Sequence, residues 1–134
     1  MIFLDANYFI NLYVKTNKYH ERANELCNLI ENKEKIISNL VIMEVITILN
    51  VRLKQNSYLL SKVHEELNRS YRIINDTIFH EKGFKILQTE LKRKNDRLPL
   101  FDSVYMAIME ELRIKEIVSF DEHFENKESI KRIH

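Results

Sequence analysis

Four acidic side chains occupy places where packing alone does not call for an acid. Asp5 closes the short apolar run MIFL. Glu44 is the sole charge in LVIMEVITIL. Asp102 follows the loop that holds Pro99, and Asp121 closes the run EIVSF as Asp5 closes the first. Each has an ordinary reading. Asp5 and Asp102 suit helix N-caps, where a carboxylate accepts from orphan amides, and Asp121 suits a strand-end turn. Glu44 is harder to place, because an ionised carboxylate in apolar surroundings must be paired, metal-bound or protonated. A Lys or Arg partner, or a helix turned to expose position 44, are its alternatives. Brought into one crevice, four carboxylates repel one another and stay ionised near neutral pH only beside a cation. Hard oxygen donors select Mg2+ or Mn2+ over zinc. Such an ion lowers the pKa of a bound water and steadies charge on a phosphoryl oxygen. Metal-assisted phosphodiester hydrolysis is the chemistry these residue types suit.

The elements that must position these acids follow from apolar spacing. Residues 1–4 predict a strand, 7–16 and 19–32 helices, and 35–38 a second strand. Ser38-Asn39 offers capping chemistry ahead of a helix over 40–53. A helix over 57–70 follows, with Leu59, Leu60, Val63 and Leu67 on one face. Tyr71 to Ile74 predicts a third strand, closed by the turn formers Asn75-Asp76. Residues 78–94 predict a helix, 95–100 a loop, 101–113 a helix and 116–119 a strand, with one more short strand in the tail. Strands alternating with helices belong to the α/β class, with a parallel sheet covered on both faces. Ligands of such sheets bind beyond the carboxyl ends of the strands, where Asp5 and Asp121 fall.

Composition narrows the chemistry further. The 134 residues include one glycine, one proline and one cysteine, where average usage gives about sixteen glycines and prolines together. Glycine-rich phosphate loops cannot be written with Gly83 alone. Hairpin-rich all-β folds are disfavoured for the same reason. With Cys27 alone there is no internal disulfide and no multi-cysteine zinc site, so a reducing compartment is expected. The length suits a single domain over 1–134. Lys and Arg number 21 against 20 Asp and Glu, a net charge of +1, so no global field recruits nucleic acid or a membrane. No basic leader precedes MIFLD and no apolar run approaches the ~20 residues of a membrane span, which predicts a cytoplasmic protein with no membrane partner.

The segments MIFLDANYFI, NLVIMEVI, LPLFDSVYMAIM and IVSFDEHF together resemble the PIN-domain ribonucleases, in particular the VapC-type toxins of VapBC toxin–antitoxin pairs. Asp5 with Asn7 resembles the family's first acidic motif, Glu44 its second, and Asp102 with Ala107 its third. Ser119, Asp121 and Phe124 resemble its Thr/Ser-x-Asp-x-x-Phe motif. Ala6 departs from the pattern, where a hydroxyl residue is common. The resemblance implies a three-layer α/β/α sandwich, RNA cleavage dependent on Mg2+ or Mn2+, a homodimer and a small antitoxin partner. It further implies that Asp5, Glu44 and Asp102 bind the metal directly or through water. Asp121 would complete the site and help orient the attacking water. Asn7 and Ser119 would hold the carboxylates in place.

The remaining candidates carry weaker signals. In KRKNDR, Lys92, Arg93, Lys94 and Arg97 suit either RNA phosphates or the carbonyl end of a solvated helix. Lys127, Lys131 and Arg132 form a second, weaker cluster. Of the five histidines, His123 stands beside Asp121, with surface placement as its expected state. Cys27 reads as a core or interface thiol. Phe3, Tyr8, Phe9 and Tyr13 read as packing, with a dimer or antitoxin surface as the alternative. Three other functions fit parts of the pattern: an RNA-processing PIN nuclease outside any toxin pair, a haloacid-dehalogenase-like phosphohydrolase, and a non-catalytic binding module. Asn7 stands where a dehalogenase-type enzyme carries its second Asp.

Overall fold

The structure, a computed structural model, describes residues 1–94 and 98–134, and for residues 93 and 94 the backbone alone. Among the described residues, five strands form one parallel sheet: β1 (Ile2–Leu4), β2 (Lys35–Ser38), β3 (Arg72–Ile74), β4 (Glu116–Val118) and β5 (Lys131–Ile133). Their order is β3-β2-β1-β4-β5. The chain winds outward from β1 through β2 to β3, then crosses back to β4 and β5 on the other side. That reversal makes the β1/β4 boundary the switch point of the sheet, where crossover connections diverge and leave a crevice at the carboxyl edge. Phe3 pairs in register with Ile36 on one side and Ile117 on the other.

Six α-helices among the described residues cover the sheet: α1 (Ala6–Tyr13), α2 (His20–Leu29), α3 (Asn39–Arg52), α4 (Ser57–Ser70), α5 (His80–Lys94) and α6 (Leu100–Glu111). α1 packs on α2 and α3, and α3 on α4, while α5 and α6 pack chiefly on each other. Right-handed crossovers put the first four on one face and the last two on the other, so the α/β/α sandwich is the observed fold. β1 is wholly buried, as a central strand covered on both faces must be. The edge strands expose Arg72 and Lys131, charges that discourage further strand pairing.

Some boundaries differ from the sequence reading. The first helix ends at Tyr13 rather than near 16, because Val14 turns extended and drops into the core. Leu26 in α2 and Ile30 just after it are buried, but Leu29 is 67% exposed. Cys27 is exposed as well, so it is no core thiol. Phe3, Tyr8 and Phe9 are packing residues: Phe3 meets the Tyr105 ring at 5.2 Å, and Phe9 meets Tyr8 at 5.1 Å and Tyr71 at 5.3 Å.

Two particular contacts set the helices that carry the acids. A Cβ on Gly83 would lie 2.7 Å from Val104 Cγ2 and 2.9 Å from Val104 Cα. The single glycine is thus where α5 and α6 cross at backbone distance. At the start of α3, Ser38 occupies the cap position but makes no side-chain cap. Asp76 does so instead from 36 residues away, its Oδ2 accepting from Leu40 N at 2.7 Å. Asn39 reciprocates, its Oδ1 accepting from Asp76 N at 2.9 Å. This exchange ties the exits of β2 and β3 together and fixes the direction in which α3 leaves the sheet.

Candidate active site

Asp5 leaves β1 at the switch point as the N-cap of α1. Its Oδ1 accepts from Ala6 N at 2.7 Å, and its Oδ2 accepts from Ser119 Oγ at 2.6 Å. Asn7 turns back across the crevice, its Oδ1 accepting from Phe120 N at 3.0 Å and lying 3.3 Å from Ser119 Oγ. Ser119 Oγ in turn accepts from Asp121 N at 3.0 Å. Asp5, Asn7, Ser119 and Asp121 are one hydrogen-bonded unit that stitches the exit of β1 to the exit of β4.

Glu44 lies in the second turn of α3 and is half-buried. The partner the sequence left open is neither Lys nor Arg. It is the Tyr105 hydroxyl, which donates to Glu44 Oε2 at 2.9 Å. Tyr105 follows Asp102 by three residues on α6, so one helical turn presents both to the same crevice. Asp102 is not the N-cap of α6: Pro99 takes that position, and Asp102 sits three residues inside, buried. Asp121 caps a short 3-10 turn over Glu122–Phe124, its Oδ1 accepting from His123 N at 2.9 Å.

His123 is the residue the sequence reading undervalued. Its ring is not free on the surface: Nδ1 lies 3.0 Å from Asp102 Oδ2 and 2.9 Å from Asp121 Oδ1. The signal was an Asp-x-His spacing in a tight turn, which aims the ring back over the capping carboxylate.

The electrostatics record how close the acids are. Burial raises the Asp5 carboxyl well above the usual range, and the Asp102 and Glu44 charges push it further. Asp102 is pushed up to about 8 by burial, then by Asp121 and Glu44. Glu44 is raised by burial and by Asp121, against the lowering effect of the Tyr105 hydrogen bond. Burial and the Glu44 charge raise Tyr105 in turn, so its hydroxyl stays a donor. Among the described residues, no Lys or Arg pairs with any of the four acids. A buried acidic cluster with no organic cation is a donor set that suits a hard divalent ion. Within it the ligand atoms of Asp102, Asp121 and His123 all lie within 4.8 Å of one another.

The basic candidates are placed differently. Lys92 is exposed on the last turn of α5. The side chains of Arg93 and Lys94, and Arg97 altogether, lie outside the described residues. The second cluster is neutralised: Lys127 pairs with Glu90 at 2.6 Å in a nearly buried bridge, Lys131 with Glu116, and Arg132 with Glu125. A cavity of about 950 Å³ between α5, the end of α6 and residues 126–130 lies at the amino edge of the sheet, away from the acids. Among the described residues, no helix is long and apolar enough to cross a membrane.

A parallel α/β/α sandwich whose switch point gathers four carboxylates defines the class of protein. The PIN-domain family profile matches residues 2–129, and the chain belongs to that family. Comparison with curated protein sequences finds no match. Among solved structures, the chain is similar to VapC20 of Mycobacterium tuberculosis, a sarcin–ricin-loop-cleaving toxin, with a TM-score of 0.76 and 18% identity over 91% of each chain. It is also similar to a chain of the DNA-bound VapBC complex of Salmonella typhimurium, with a TM-score of 0.70 and 21% identity over 98% of this chain and 96% of the other. A toxin–antitoxin complex of Klebsiella pneumoniae gives a TM-score of 0.63 and 17% identity over the same shares. At these identities the likeness is one of fold.

Proposed function

We propose that this chain is a divalent-metal-dependent endoribonuclease and the toxin component of a type II toxin–antitoxin pair, with residues 1–134 acting as one domain. One observation carries the nuclease reading. Four acids from four separate sequence motifs meet at the β1/β4 switch point, and no Lys or Arg among the described residues balances them. Asp5, Glu44, Asp102 and Asp121 would hold Mg2+ or Mn2+. When bound, such an ion supplies an activated water and stabilises the charge that develops on the phosphoryl oxygen. Ser119 and Asn7 keep Asp5 and Asp121 at fixed separation, and the Tyr105 hydroxyl fixes the Glu44 rotamer. Asp121, less buried than Asp5 or Asp102, would help orient the attacking water.

The toxin reading rests on the fold likeness to VapC20 and to two toxin–antitoxin assemblies. A small antitoxin and a homodimer are the partners it brings, in the cytoplasm, with RNA as substrate. Lys92, Arg93, Lys94 and Arg97 are the proposed phosphate contacts, close in sequence to Asp102. Family membership and the Asn7 hydrogen bonds speak against the dehalogenase alternative. The test is growth arrest on expression together with RNA cleavage in Mn2+. Wild type arrests growth and cleaves, whereas Asp5→Asn folds but does neither. Cleavage retained by a clean Asp5→Asn preparation overturns the reading.

A further inference from the structure

The resemblance to PIN ribonucleases is carried by acids, and oxygen donors alone suit Mg2+ as well as Mn2+. This chain places an imidazole in the same cluster. We infer that His123 Nδ1 is a direct metal ligand here, joining Asp102 and Asp121 in a mixed nitrogen–oxygen donor set that favours Mn2+ over Mg2+. The inference deepens the nuclease reading and rests on it.

Three observations support the assignment. Nδ1 lies 3.0 Å from Asp102 Oδ2 and 2.9 Å from Asp121 Oδ1. Neighbouring ligands on an octahedron with bonds of about 2.1 Å are about 3 Å apart, so the nitrogen already stands at ligand spacing from both oxygens. Next, the backbone leaves the ring little choice of direction. His123 N donates to Asp121 Oδ1, and the 3-10 turn over Glu122–Phe124 is anchored by Phe124, which is fully buried. Finally, Asp102 is buried, and its other oxygen, Oδ1, has no hydrogen bond to a described residue.

The chemistry balances simply. A metal bond at Nδ1 uses the ring nitrogen's lone pair, as neutral imidazole supplies it. Any proton on Nδ1 leaves to water as the ion binds, and the lone pair becomes the ligand. Imidazole nitrogen binds first-row transition ions better than it binds Mg2+, whose ligands are almost always oxygen.

Pulsed EPR on Mn2+-loaded protein reads the bond directly, through coupling of the electron spin to a directly bound 14N. The expected result is 14N modulation in wild type and its loss in His123→Gln. In competition titrations, His123→Gln should weaken Mn2+ by about 10-fold or more, with a much smaller change for Mg2+. Wild-type protein that binds Mn2+ and cleaves RNA without 14N modulation overturns this inference and leaves the nuclease reading standing. Equal weakening of both ions in His123→Gln also overturns it, because a ring that only positions the carboxylates gives no preference. Wild type that binds neither ion overturns both readings.

Discussion

Removing one charge from the acidic cluster should stabilise the metal-free protein, and the size of the effect follows from Asp102. Its carboxyl sits at about 8 in the folded chain, against an ordinary value of 3.8. A folded-state pKa above the unfolded one means that the folded protein holds a proton the unfolded chain gives up. The stability from this group is therefore complete below the ordinary carboxylate range and is lost as pH rises through about 8. Between about pH 5 and about pH 7.5 the loss amounts to roughly 3 kcal/mol, at 1.36 kcal/mol per pH unit. For a chain of this length that corresponds to about 10 °C in Tm. Metal-free wild type should thus melt lower at about pH 7.5 than at about pH 5. Asp102→Asn should remove the Asp102 share of that slope and melt above wild type at the higher pH. Mn2+ at about 100 times its Kd should return roughly 2.7 kcal/mol to wild type, and almost nothing to the variant. Calorimetry of both proteins in chelator and in Mn2+ makes the comparison. If Asp102→Asn melts with the same pH slope as wild type, or below it at about pH 7.5 in chelator, the acids are not crowded and the electrostatic argument for a metal fails.

Three further outcomes follow from single contacts. Gly83→Ala gains about 1 kcal/mol of helix propensity but drives a Cβ onto the Val104 backbone, a strain of about 1–3 kcal/mol. A net loss of up to about 2 kcal/mol in urea denaturation is expected, and a gain would mean that the helices separate freely. Tyr105→Phe removes the donor to Glu44 Oε2, which raises the Glu44 carboxyl further. Mn2+ affinity should fall several-fold near neutral pH and recover as pH rises, whereas a loss independent of pH would point to packing. Asp76→Ala leaves Leu40 N without its acceptor and His80 without its carboxylate partner, a cost of about 2–3 kcal/mol on denaturation. It should also weaken Mn2+ binding, because α3 carries Glu44.

Asp5, Glu44 and Asp121 could be picked out of the sequence because each violates its immediate surroundings: two acids end apolar strands, and one interrupts an apolar helix. The parallel sheet was legible for the same reason, since short apolar runs between amphipathic helices leave few other arrangements. What stayed hidden depends on contacts between distant segments. The sequence offers Ser38-Asn39 as capping residues, yet the amide of Leu40 is served by Asp76, which reads locally as an ordinary turn residue. Glu44 and Tyr105 are 61 positions apart. Only the spacing of Tyr105 from Asp102, one helical turn, hinted that they share a crevice. Asp102 reads as a cap because it follows the proline loop, but the extended backbone of Pro99 starts the helix earlier and moves Asp102 inside.

Asparagine is the informative substitution at position 5 because of how the site is bonded. The carboxylate accepts two hydrogen bonds, from Ala6 N and from Ser119 Oγ. An amide has one oxygen and one NH2, so it can accept from only one of these donors and must offer a donor to the other. Ala6 N–H is fixed by the backbone and keeps the oxygen. Ser119 can rotate: its hydroxyl then accepts from the amide and donates to Asn7 Oδ1, 3.3 Å away, while still accepting from Asp121 N. Ala6 N–H, the Ser119 hydroxyl and Asp121 N–H all keep partners, and the fold survives with one charge fewer. Removing the alternative acceptor closes that escape. Asp5→Asn combined with Asn7→Ala should lose more stability than the two single variants together, by about 1 kcal/mol or more. Additive losses would show that Ser119 does not make the switch. Loss of metal binding in Asp5→Asn alone, with stability kept, therefore reports the missing charge rather than a broken hydrogen-bond network.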